Sequence, residues 1–139
     1  MAYELPQQIL GTLTASGDYN DANDQFLCVS STGTNFTVTA TAGMKVLGIL
    51  QDRPSSGTPG AICIGGVTKA RCAMTSHAAI AVMDKLRCST NGSIMPSSAN
   101  VNNFVIGRAL ETLASNTTGI ITILFRPEGP GSTSVQSGA

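Results

Sequence analysis

His77 is the only histidine of the chain, and Cys72 stands shortly before it in "CAMTSHAA". A thiol beside an imidazole can act as a nucleophile if the ring takes its proton, but the ring must then be oriented by a third group. Nothing in "TSHAA" supplies one, so a loop histidine is the expectation. Asp52 and Glu111 each follow a similar apolar run and could face one another as an acid and base pair. Glycoside chemistry of that kind also needs aromatic platforms. The chain has no Trp, two Tyr and four Phe, so two carboxylates opening solvated loops is the plainer reading.

Metal and phosphate chemistry fare no better. Cys28, Cys63, Cys72 and Cys88 form no C-x-x-C pair, and one histidine completes no zinc pattern. Four reduced, buried thiols are expected. "DANDQ", from Asp21, offers two Asp and an Asn but lacks the rest of a calcium loop, which leaves a turn. Neither G-x-x-x-x-G-K-[ST] nor G-x-G-x-x-G occurs. The sequence therefore predicts no catalytic, cofactor or metal site, and an enzyme is the losing class.

Charge narrows the partners. Eight basic residues balance eight acidic ones, and charged residues make up 12% of the chain. Such a surface does not attract nucleic acid or acidic lipid. No apolar run approaches the roughly 20 residues of a membrane span. "MAYELPQQIL" has neither the basic nor the apolar region of a signal peptide, so synthesis in a reducing cytoplasm is expected.

The elements that would position any site are written twice. "KVLGILQDRPSSGTPGAICI" from Lys45 and "FVIGRALETLASNTTGIITI" from Phe104 align without a gap at an offset of 59. Extended backwards, residues 25–64 fall on 84–123, and eleven of the forty pairs are identical. Leu27 matches Leu86, Gly33 matches Gly92, Gly48 matches Gly107, and Ile62 and Ile64 match Ile121 and Ile123. The unit reads as β. A hairpin turns at Gly33 or Asn91-Gly92, a strand carries Gly48 or Gly107, and a polar loop leads to a second strand. Glycine inside a strand marks a bulge or close backbone approach, so Gly48 and Gly107 answer one geometric need twice. Gly65-Gly66 reads as a turn before a linking strand, and residues 78–83 as one helical turn between the repeats. Neither half could bury its apolar face alone. The expected fold is mainly β: two tandem modules packed as one small sandwich or barrel-like (β-tulip-like) domain over residues 25–126.

Two arms flank it. Residues 1–24 begin with an apolar comb of Tyr3, Leu5, Ile9, Leu10 and Leu13, and residues 127–139 read as a linker-like tail. Pro6 suits an extended or edge segment. So many apolar side chains need cover from the domain, a sister subunit or another protein, which makes the comb the expected contact surface. Arg108 takes the slot of Ile49 on an apolar strand face. An unpaired charge there is costly, so it must reach solvent or meet an acceptor, and a subunit contact is the expectation.

The stretch "AIAVMDKLRCSTNGSIMPSSANVNNFVIGRALE" followed by "TTGIITIL" resembles the small head decoration, or cement, proteins of tailed bacteriophages. Members show a strand, a glycine turn, an alanine-rich stretch, a "V-[VI]-G-x-[AL]" strand, a loop and a "G-x-[IV]-x-[IV]" strand. Val105 to Ala109 and Gly119 to Ile123 carry the match, with Val46 to Leu50 and Gly60 to Ile64 repeating it. The resemblance spans about residues 25–125 and leaves both arms uncovered. Met83-Asp84 departs from it, since relatives often have Gly-Asp there. It implies a structural virion protein on the outer capsid surface, a homotrimer that bridges major capsid protein subunits, often through a terminal arm. Another virion or tail subunit, or a small β-module binding glycans or a host surface, are the alternatives.

Overall fold

The computed structural model describes residues 7–39, 41–97 and 104–130; Tyr3 and Leu5 of the comb and the tail beyond 130 lie outside them. Alternating residues make short strands, and glycines in the left-handed region turn them. Strands β1 (Gln7–Leu10) and β2 (Thr14–Ala15) come from the N-terminal arm. Strands β3 (Cys28–Thr32) and β4 (Asn35–Val38) form a hairpin around Gly33, whose φ is +75°. After β5 (Gly48–Leu50) and the long β6 (Ile62–Cys72), a second hairpin, β7 (Lys85–Cys88) and β8 (Ile94–Pro96), turns near Gly92 at φ +78°. Then come β9 (Phe104–Ala109) and β10 (Gly119–Pro130). Among the described residues the one helical element is a 3-10 turn, Ala22–Asp24, capped by Asp21. That turn is the "DANDQ" stretch.

The strands form one open sheet in the order β2-β4-β3-β5-β6-β10-β9-β7-β8, with β1 also on β6. Pairing is antiparallel except between β2 and β4. The centre is the β6–β10 ladder, running from Gly119 opposite Cys72 to Phe125 opposite Gly66. Outward from it the order is β5, β3, β4 on one side and β9, β7, β8 on the other. Strands β5 and β9, β3 and β7, and β4 and β8 thus stand at equal steps from the centre.

Burial follows the same geometry but differs between the sides. One core unites Cys28, Ile49, Ala70 and Cys72 with Leu86, Ile94, Ile106, Ala109, Ile123 and Phe125. A second, smaller core lies on the other face of β3 and β5, where Val29, Phe36, Leu50, Ile62 and Ala15 meet. Strands β3, β5 and β6 therefore contribute side chains to both cores, whereas β4 contributes only to the smaller one. Phe36 is wholly buried and its burial contributes roughly 1.5–3 kcal/mol. Tyr19 closes over it, with ring centroids 6.0 Å apart and its hydroxyl accepting from Val38 N–H at 3.2 Å.

Two local expectations fail. Gly65 and Gly66 make no turn; β6 runs through them. At this point β6 exchanges partners, with β1 on residues 62–66 and β10 on residues 66–72. Gly66 at φ +101° and a register shift between Gln8 and Ile9 absorb the change. Residues 78–83 form no helix either, because Ile80 bridges to Leu113 and the chain turns just beyond it. Tertiary pairing overrides the helical leaning of the alanines.

Candidate functional site

His77 is buried, and both ring nitrogens face backbone carbonyls: Nδ1 lies 2.7 Å from Ala78 O and Nε2 2.6 Å from Thr117 O. Its backbone N–H donates to Asn116 Oδ1 at 3.1 Å, tying this segment to the β9–β10 loop. The Sγ of Cys72 meets Met74 O instead, and burial pushes that thiol up. Thiol and imidazole are committed elsewhere, so they form no nucleophilic pair. All four cysteines are free and buried. Burial, and then the neighbouring Cys88, push the Cys28 thiol well up, and burial likewise raises Cys63.

Asp52 and Glu111 each serve their own hairpin. Asp52 Oδ1 accepts from Ala61 N–H at 3.1 Å, and Glu111 Oε1 accepts from Thr122 N–H at 2.8 Å. Glu111 also takes the Thr122 hydroxyl and lies 3.5 Å from Lys69 Nζ. The Thr122 donors, with a smaller contribution from Lys69, hold its carboxyl below the usual range. Thr58 and Thr117 tie the same loops, donating to Ser55 O at 2.6 Å and Ala114 O at 2.7 Å. Their turns pass through left-handed Gly57 and Asn116. These groups close loops rather than converge on a substrate. No cluster of three or more metal-ligating side chains exists among the described residues.

The repeat glycines occupy equivalent places. A Cβ on Gly48 would overlap the Cys63 carbonyl oxygen, and one on Gly107 the Leu124 carbonyl oxygen. Only glycine lets the neighbouring strand come this close.

The comb divides. Ile9 and Leu10 lie in β1 on β6, where Ile9 is 49% exposed and belongs to neither core. Leu13 packs half-buried against the smaller core. A cleft of about 430 Å³ opens where β1 parts from β10, its lining including Gln8, Ile64, Gly66, Leu124, Arg126 and Pro127. A larger one of about 760 Å³ carries the hydroxyls of Ser30, Ser31, Thr32 and Thr37 around Phe104 and Lys45.

Arg108 finds its acceptors within the chain. Its Nε lies 3.3 Å from Glu128 Oε2, and Nη1 donates to Met83 O at 3.2 Å. The place of Ile49 is covered by the shared core; that of Arg108 faces outward, which is why a cation sits there. The turn it braces is the one marked in the sequence by the departure at Met83-Asp84; its exposure was not read there. Val82 and Met83 are 51% and 53% exposed, and Met83 has φ +75°. The departure from Gly-Asp at Met83-Asp84 was the available signal, because glycine is the residue at ease in that conformation. No protein-family model matches the chain, and no curated protein is similar to it.

Proposed function

We propose that the chain is a head decoration protein of a tailed bacteriophage: a non-enzymatic virion component, made in the host cytoplasm, that binds the outer capsid surface. In this reading it is a homotrimer that bridges major capsid protein subunits and takes no part in nucleic acid or membrane binding. Its domain is two tandem β-modules, residues 25–64 and 84–123, packed as a small sandwich or barrel-like unit. The observation that carries the reading is the pairing of the motif strands. In each half the strand that carries the matched glycine, β5 or β9, lies beside the strand that follows the loop, β6 or β10. The mirrored strand order and the matched Gly48 and Gly107 support the duplication.

The contact fits β-augmentation. β1 is a short strand held by backbone pairing, with exposed side chains and Gly11 free of neighbours behind it. An arm of that kind can give affinity through its backbone hydrogen bonds and register through alternate side chains. Repetition over a lattice makes modest single contacts durable. The test is to add the purified chain to emptied, expanded phage heads lacking decoration and count copies bound. Saturation at a fixed ratio per capsid subunit supports the proposal; absence of binding overturns it. The hydroxyl-rimmed cleft around Phe104 favours glycan binding as the second reading, and retention on immobilised host polysaccharide without any shell would select it.

A further inference from the structure

The surface between the two halves carries an uncharged apolar run. Ala78, Ala79, Ala81, Val82 and Met83 are all exposed, with Ile80 alone turned inward. Contiguous apolar surface of this sort marks association sites. It is also rigid. Asp84 carboxylate accepts from Ala81 N–H at 2.8 Å, Asp84 N–H donates to Ala81 O at 3.1 Å, and Met83 N–H donates to Ala109 O at 2.7 Å. Arg108 holds the Met83 carbonyl from below, itself paired with Glu128. A bulky residue in the left-handed region is an outlier that persists only where its surroundings enforce it. The backbone of the turn is thus held with the Met83 side chain directed outward, which lowers the backbone part of the ordering cost of binding.

Phe26 shows what such a position does when covered. It too is left-handed, at φ +69°, and its N–H donates to Leu50 O as that of Met83 does to Ala109 O. Leu50 and Ala109 are the matched last residues of β5 and β9. Phe26 packs against the shared core, whereas Met83 faces solvent.

We propose that a second copy of this chain covers it. Val82 and Met83 of one copy seat in the cleft between β1 and β10 of the next, against Ile64, Gly66, Leu124 and Pro127, with Asp84 facing the exposed Arg126 at its rim. A volume of about 430 Å³ takes two side chains of this size. The charges are of opposite sign across the contact, which fixes its polarity. The proposal rests on the oligomeric part of the function above and not on the capsid.

Sedimentation velocity over a concentration series tests it. Wild-type protein self-associates; Met83→Gly, in which glycine adopts the same φ without strain, keeps its melting temperature and weakens association about tenfold or more. Arg126→Asp weakens it too, while Ile120→Ser, a change at an exposed residue outside the cleft, leaves it unchanged. Mixing Met83→Cys with Arg126→Cys protein under mild oxidation yields a disulfide-linked pair, against native thiols that are buried. A wild type that stays monomeric, or a Met83→Gly oligomer as tight as wild type, overturns the proposal. If the wild type is monomeric and Met83→Gly abolishes shell binding, the turn contacts the shell and the self-contact is wrong. Intact self-association with no shell binding upholds this contact and rejects the decoration reading.

Discussion

Gly107 passes so close beneath Leu124 that any side chain would strike the Leu124 carbonyl oxygen, and Gly48 stands in the same relation to Cys63. Backbone cannot yield as a flexible side chain can, so strand β9 or β5 would have to move away from its ladder. Gly107→Ala and Gly48→Ala are each expected to destabilise the fold by about 1–3 kcal/mol or more. Gly11→Ala is the control, since nothing lies within 4 Å of a Cβ there and its φ is not positive. Denaturant titration of the three variants checks the ranking, and a harmless Gly107→Ala would refute the close approach.

Phe26 and Met83 share a backbone conformation but should respond oppositely to glycine. The left-handed region costs a non-glycine residue about 1–2 kcal/mol, which glycine relieves in both. Phe26 also packs on the core, and removing it forfeits roughly 3 kcal/mol or more. Phe26→Gly is therefore destabilising, whereas Met83→Gly is neutral or slightly stabilising. Thermal melts of the two variants provide the comparison.

Glu111 makes part of the stability depend on pH. Its folded pKa lies below its ordinary value, chiefly because Thr122 donates to the carboxylate, and then because Lys69 is near. A depressed carboxyl contributes fully above the ordinary range, about 4.3, and loses that contribution as pH falls through the lower folded value. Glu111→Gln should thus melt below wild type at neutral pH and converge with it in strong acid. A gap that persists unchanged in acid would show that shape, not charge, is what Glu111 supplies.

The parts of the fold set by local chemistry were legible in the sequence. Both hairpin turns fall at Gly33 and Gly92, and both matched glycines meet a carbonyl of the next strand. The gapless offset was only locally right. It holds for β5 with β9 and for Thr58 with Thr117, but Val29 and Leu86, which pair with the two glycines, stand two residues closer together than that offset. Ala61 and Thr122, which bind the matched carboxylates, stand two residues further apart. A slip of two keeps every side chain on its face, so the pattern tolerates it and an alignment cannot see it. Gly65-Gly66 was misread because a partner exchange within one strand requires the same residues as a turn. The exposure of the turn at Met83 was missed because composition reports apolar residues without saying which of them the fold covers.

Occupancy of expanded capsids by the full chain and by a variant lacking residues 2–10 measures the functional proposal most directly. The deletion stops short of Leu13, which belongs to the smaller core. Three apolar side chains of the arm, Tyr3, Leu5 and Ile9, would contribute on the order of 4–6 kcal/mol on a partner before ordering costs. The account predicts that the full chain saturates shells at a fixed ratio and survives dilution, while the shortened chain stays folded and binds weakly or not at all. Full occupancy by the shortened chain would place the anchor elsewhere, and a full-length chain that leaves shells bare would contradict the account.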